Sequence, residues 1–209
     1  AMHRTHEWAE RCLNAKKRTD QALFGIVQGG VFEDLRRISA ETIRDMNFPG
    51  NAIGGLSVGE TKPEMHAMIE VVNDILPENK PRYLMGVGMP DDIVNGILRG
   101  IDIFDCVLPT RLARHKAALT FRGRMNLLNT SNAYDSHPID ETCTCYTCKN
   151  FSRAYLRHLI VAKETLSGTL ISIHNIHTLL ELTRQCRQHI LEGTFTSFAE
   201  EFLRNYQPP

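Results

Sequence analysis

Three cysteines fall within six residues, in Cys143-Thr-Cys145-Tyr-Thr-Cys148, and this is the most specific chemical signal in the chain. Soft thiolates at that spacing can wrap one face of a tetrahedral ion, and a fourth ligand must then come from elsewhere. His174 and His177, in Ile173-His174-Asn175-Ile176-His177, are both candidates, and spacing alone does not choose between them. Four protein ligands would fill the coordination sphere, so the expected Zn2+ is structural rather than catalytic. The other cysteines, Cys12, Cys106 and Cys186, are scattered, and six in 209 residues are too few for a disulfide scaffold.

Asp105 is the second candidate. Period-two alternation over Ile101–Leu108 puts Ile101, Ile103, Asp105 and Val107 on one face of a strand and Asp102 on the other. A carboxylate in such an apolar run needs a partner to ionise. Two roles fit it: a structural one, paired with Arg111 or Arg114 or capping a following turn, or a nucleophile or base. Glycine-rich segments form a third signal: Gln28-Gly29-Gly30, Gly54-Gly55-Leu56-Ser57-Val58-Gly59 and Gly86-Val87-Gly88. None matches a Walker or Rossmann fingerprint. Any one of them is explained by a tight turn, but three at the same end of successive strands suggest a pocket floor open to a flat ligand. Gln28 both donates and accepts, which suits a nucleobase edge, and Met85 can cover a base face or simply fill a core. Finally, no acidic residue lies between Asp105 and Asp135, whereas Arg111, Arg114, Lys116, Arg122 and Arg124 do. That tract is either a solvated loop or a seat for a polyanion.

Positioning these residues requires a repeated strand–helix scaffold. Short apolar runs at Ala22–Val27, around Ala52–Ile53, at Arg82–Gly88 and at Ile101–Leu108 alternate with helical patterns. The first of these carries Val31, Leu35, Ile38, Ile43 and Met46; the next opens on Thr61 as N-cap with Pro63 and Glu64 in its first turn. Such alternation predicts α/β architecture with parallel strands, and four units are about half of a (β/α)8 barrel. Helical patterns also cover His3–Lys17, where Trp8, Cys12 and Leu13 share a face, and later Phe151–Leu166, Ile173–Leu191 and Ser197–Tyr206.

Composition narrows the classes. Lys+Arg and Asp+Glu are 24 each, which argues against a wholesale basic fold but permits a local basic face. No run approaches the length of a membrane helix and no signal peptide opens the chain, so a soluble, cytoplasmic protein without a membrane partner is expected. The helical pattern at the very start predicts that the chain begins partway through a larger protein.

Five segments in order, Phe24-Gly-Ile-Val-Gln28-Gly-Gly30, Ala52-Ile-Gly-Gly-Leu-Ser-Val-Gly-Glu60, Pro81-Arg-Tyr-Leu-Met-Gly-Val-Gly88, Gly100-Ile-Asp-Ile-Phe-Asp-Cys-Val-Leu-Pro-Thr-Arg111 and the cysteine cluster, resemble the tRNA-guanine transglycosylase (queuine tRNA-ribosyltransferase) family in its bacterial branch. The resemblance implies the C-terminal half of a (β/α)8 TIM barrel with a zinc-binding subdomain. Barrel units would occupy 1–110, the zinc subdomain 111–175 and C-terminal helices 176–209. The implied reaction replaces the wobble guanine of a tRNA with a 7-deazaguanine base, a queuosine precursor, through a covalent Asp105–ribose intermediate. Gln28, Gly55 and Leu56 match base-reading positions, Glu60 one that orients the backbone there, and Met85 one that covers the base. Arg111 and Arg114 match tRNA-contacting positions, and Cys143, Cys145, Cys148 and His174 match the zinc ligands. The family forms homodimers. Because the first half of the family barrel is absent, the resemblance also implies that these residues alone are inactive; a non-catalytic RNA-binding or dimerisation subunit of the same fold is the alternative.

Overall fold

Alternating apolar runs and amphipathic stretches fold as strand–helix repeats in the computed structural model, which describes residues 1–207. Two units can be distinguished, Ala1–Gly88 with Asp92–Cys106, and Met89–Asp91 with Val107 onward. In chain order the first contains α1 (Met2–Ala15), β1 (Phe24–Val27), α2 (Glu33–Asp45), β2 (Gly50–Ile53), α3 (Lys62–Asn73), β3 (Arg82–Leu84), most of α4 (Pro90–Leu98) and β4 (Ile103–Phe104). The strands form one sheet in the order β1-β2-β3-β4, every neighbouring pair parallel. The parallel α/β class read from the sequence is therefore present.

Local chemistry explains the elements. Thr61 caps α3 in a capping box with Glu64, and Pro63 sits in the first turn, where its missing N–H costs nothing. α4 ends in a Schellman motif: Gly100 (φ +83°) donates to Ile97 O, and Ile101 donates to Gly96 O. The core is Val27, Ile43, Ile53, Ile69, Val72 and Leu84, all wholly buried, each contributing about 1.5–3 kcal/mol of apolar burial.

Several expectations about individual elements change. Val31 and Ile38, read as inward residues of α2, are exposed; Arg36, Ser39, Ala40 and Ile43 form the buried stripe instead. On α1, Trp8 and Cys12 are exposed, while His6 is buried against Ser39 Oγ at 2.9 Å. The third strand stops at Leu84 rather than Gly88, and the fourth is only Ile103–Phe104. Asp105 consequently lies exposed in irregular backbone just beyond the strand end and not within an apolar strand.

The second unit contains α5 (Leu108–Arg114), an antiparallel hairpin of β5 (Ala117–Thr120) and β6 (Gly123–Asn126), a 3-10 turn at Thr130–Asn132, α6 (Tyr146–Asn150), α7 (Arg153–Val161), α8 (Leu166–Leu191) and α9 (Phe195–Asn205). α8, 26 residues and about 39 Å long, is the central element, touching α5, β5, α6, α7 and α9. It starts seven residues earlier than its strongest periodicity, because burial of Leu170 and Ile171 outweighs the weak helix propensity of Ser167-Gly168-Thr169. α7 starts at Arg153, capped by Ser152 Oγ, and ends before Lys163, which is left-handed at φ +61°. Among the described residues, no helix is long and apolar enough to cross a membrane.

Candidate active site and metal centre

The sheet register converts sequence positions into a row of side chains. Val27 pairs with Ile53, Ile53 with Leu84, and Leu84 with Phe104. One residue beyond these come Gln28, Gly54, Met85 and Asp105; the bonds Gly54 N to Val27 O and Met85 N to Ile53 O continue the ladder over the first three strands, and Tyr83 and Gly86 tie Asp105 to the third. Strand pleating puts Gln28, Gly54 and Met85 on the face opposite Val27, Ile53 and Leu84, which point into the core. Gln28 and Met85 are half-buried and Asp105 is exposed.

Asp105 Oδ1 accepts hydrogen bonds from the Tyr83 hydroxyl at 2.6 Å and the Gly86 N–H at 2.9 Å. The phenol first, and then the amide, hold its carboxyl below the usual carboxylate range, while the same bond raises the Tyr83 phenol. At neutral pH the group is an exposed anion held in place by two donors, with its other oxygen able to act on a ligand.

The glycine turns beside it are organised by a residue that the sequence reading passed over. Arg36, wholly buried on α2, donates from Nε to Gly30 O (2.7 Å), from Nη1 to Gly54 O (2.8 Å) and Val27 O (3.3 Å), and from Nη2 to Gly55 O (3.2 Å). Burial lowers its pKa to about 10, with Glu60 opposing, so it remains cationic at neutral pH. Its position was detectable: Ser39, Ala40 and Ile43 lie three, four and seven residues on, the spacing of one helix face. Glu60 itself accepts from the Ser57 N–H and, at 3.0 Å, from the Val58 N–H. Burial tends to raise its pKa, but those amides and Arg36 bring it below the usual value. Gly55 is exposed at φ +66°, and a Cβ there would come within 2.6 Å of Gln28 Oε1; Leu56 is buried.

In the second unit the four candidate metal ligands converge. A tetrahedral zinc with bonds of ~2.3 Å to sulfur and ~2.0–2.1 Å to nitrogen has S···N edges of about 3.6 Å. His174 Nδ1 lies 3.6 Å from Cys143 Sγ, 3.6 Å from Cys145 Sγ and 3.3 Å from Cys148 Sγ. All four donor atoms are within 4.8 Å of one another, so the donor set and its dimensions fit a structural zinc ion. His174 Nε2 donates to Leu119 O at 2.8 Å, which leaves Nδ1 as the lone-pair donor toward the sulfurs. His177 instead lies 3.4 Å from Thr144 Oγ1 and is outside the cluster. With no cation bound, burial alone would keep the His174 imidazole neutral while the three sulfurs push its pKa up to about 12, so a bound ion takes the place of the proton at Nδ1. Burial likewise opposes the Cys145 thiolate, but His174 and the Cys148 N–H bring it down to about 6. Beside His174, buried Asn175 accepts from Leu119 N–H (2.8 Å) and donates to Pro109 O (2.9 Å) and Ala117 O (3.1 Å).

Arg111 and Arg114 are exposed on α5. Arg114 lines an open groove with Lys116, Lys163 and Glu164 near the start of α8.

A family model described as Queuine tRNA-ribosyltransferase matches residues 1–208. A relative named Queuine tRNA-ribosyltransferase from Bacillus cytotoxicus is 56% identical over 207 residues, and relatives of the same name from Bacillus thuringiensis and Macrococcus caseolyticus are 55% identical. Each alignment covers 99% of this chain and 55% of the relative, so the chain spans about half the length of the curated relatives it matches.

Proposed function

Because the chain belongs to the queuine tRNA-ribosyltransferase family, we propose that it supplies the nucleophile, part of the base pocket and the zinc centre of an enzyme that exchanges the wobble guanine of a tRNA for a 7-deazaguanine. The observation that carries this reading is the exposed carboxylate of Asp105 at the end of β4, kept ionised by Tyr83 and Gly86 and level with Gln28 and Met85.

In this reading the free oxygen of Asp105 attacks ribose C1′ as the C1′–N9 bond to guanine breaks. Guanine leaves with that electron pair and takes up a proton at N9. The incoming base then loses its N9 proton and attacks C1′, the C1′–oxygen ester bond breaks, and the carboxylate is regenerated. One glycosidic bond replaces another, so no external energy source is needed, and two displacements retain configuration. Gln28 and the backbone of Gly55 and Leu56 read the base edge, Glu60 orients that backbone through the Ser57 and Val58 amides, and Met85 covers the ring. The target nucleotide must leave the anticodon stack to reach such a site. Arg111 and Arg114 contact tRNA phosphates, a role supported for Arg114 by the groove that it lines with Lys116 and Lys163. Zinc bound by Cys143, Cys145, Cys148 and His174 stabilises the fold and takes no part in the chemistry. The four parallel units are half of a (β/α)8 barrel, and the working enzyme is a homodimer of the completed barrel.

The test is incorporation of labelled guanine into unmodified tRNA by this chain, alone and with the amino-terminal half of a relative supplied in trans. Activity only with the added half, lost in Asp105→Asn together with the covalent tRNA adduct, is the expected result. Loss of a sole nucleophile should cost at least about 10³-fold. An adduct that survives in Asp105→Asn would remove Asp105 from the mechanism. Tight tRNA binding with no exchange under either condition would favour a non-catalytic RNA-binding subunit.

A further inference from the structure

We propose that Arg36 is a positioning residue: by holding the Gly54 and Gly55 carbonyls it turns the Gly55 and Leu56 amides away from the core, and the pocket's preference for a base with an oxygen acceptor depends on it. The inference deepens the base-exchange reading and rests on it.

The argument comes from peptide geometry. No cis peptide occurs among the described residues, and in a planar trans peptide the C=O and N–H point in opposite directions. Nη1 of Arg36 holds Gly54 O at 2.8 Å, so the N–H of the same peptide, that of Gly55, points away from the guanidinium. Nη2 holds Gly55 O at 3.2 Å, so the Leu56 N–H also points away. Two successive amides facing one side, about a left-handed Gly55, make a small concavity suited to an electronegative atom. Neither amide donates to a backbone carbonyl among the described residues. Gln28, whose Oε1 lies against Gly55, borders the same spot.

Arginine is specifically required. Its planar fork engages carbonyls of the β1–α2 and β2–α3 turns together, binding Gly30 through Nε and Gly54 and Gly55 through the two terminal nitrogens. Lysine carries its three donors on a single nitrogen and lacks the separated Nε, Nη1 and Nη2 that hold the Gly30, Gly54 and Gly55 carbonyls here. The Arg36 side chain is wholly buried beneath the turns, so it acts through the backbone and does not touch the ligand.

The test compares affinity for guanine with affinity for 2-aminopurine, which lacks the O6 acceptor, in wild type, Arg36→Met and Arg36→Lys, each with the amino-terminal half of a relative supplied. The bases also differ at N1, but that difference is common to all three proteins and cancels when their ratios are compared. One or two neutral hydrogen bonds correspond to roughly tenfold preference for guanine in wild type. Both variants should bring the preference down to about threefold or less. Arg36→Lys keeps the buried charge and serves if Arg36→Met fails to fold, as judged by melting. A merely structural role would weaken both bases equally, so an unchanged ratio in a folded variant overturns the inference alone. Absence of guanine binding by wild type would instead overturn the base-exchange reading and this inference with it.

Discussion

Each unit has one buried polar side chain that organises backbone around a site, but the two sites are built in opposite ways. Beside β1–β4, Arg36 gathers four carbonyls, and the product is an exposed surface of glycine turns next to a carboxylate. In the second unit, Asn175 ties Leu119, Ala117 and Pro109 together, and its neighbour His174 completes a cluster whose donors face inward on one another. The first arrangement leaves hydrogen-bonding capacity directed outward, as a ligand site requires. The second uses up its capacity internally, as a structural centre requires. Distance from solvent therefore separates the two roles more clearly than residue type does.

Removing the metal tests this contrast most severely. Structural zinc binding is worth roughly 10–16 kcal/mol, comparable to or larger than the ~5–15 kcal/mol stability of a domain. Chelation, or Cys145→Ala, should abolish cooperative melting of the second unit and deprotect α8 amides to hydrogen exchange, while β1–β3 amides stay protected. Unchanged melting after chelation would mean that the cluster is not a structural centre. Asn175→Ala comes next. It strands three buried backbone groups at about 1–3 kcal/mol each, so a loss of at least about 3 kcal/mol is expected in denaturant titration. Thr61→Ala removes the α3 cap and should cost about 1 kcal/mol, with base exchange unaffected.

The smallest effect sharpens the outward-facing side of the comparison. The Asp105 pKa is depressed in the fold, so the ionised nucleophile is present at neutral pH and is lost as pH falls through that depressed value. Tyr83→Phe removes the leading cause of the depression, and the acid limb of the exchange rate should move to higher pH with little change above neutrality. An acid limb that stays in place would show that Asp105 does not govern it.

The sequence carried the parts whose information is local. Thiolates at Cys143, Cys145 and Cys148 announce a metal because three ligands lie within one turn of chain, and Thr61 with Glu64 announces a helix start for the same reason. Alternation of short apolar runs with amphipathic helices likewise sufficed for parallel α/β. Tertiary structure decided what depends on partners distant in sequence. His174 and His177 are three residues apart on one helix and nearly share a face, and only the seating of His174 against Leu119 O makes it the ligand. Arg36 and Arg37 look alike in sequence, yet one is buried among carbonyls and the other pairs with Glu33 at the surface. The fourth strand is shorter than its alternation suggests because period two continues past Phe104 in the sequence, whereas the pairing ends there and Asp105 is held by Tyr83 and Gly86 instead. Hydrogen bonds between segments many residues apart leave no periodic trace in the chain, and for that reason the link between the glycine turns and the Arg36 guanidinium became visible only in three dimensions.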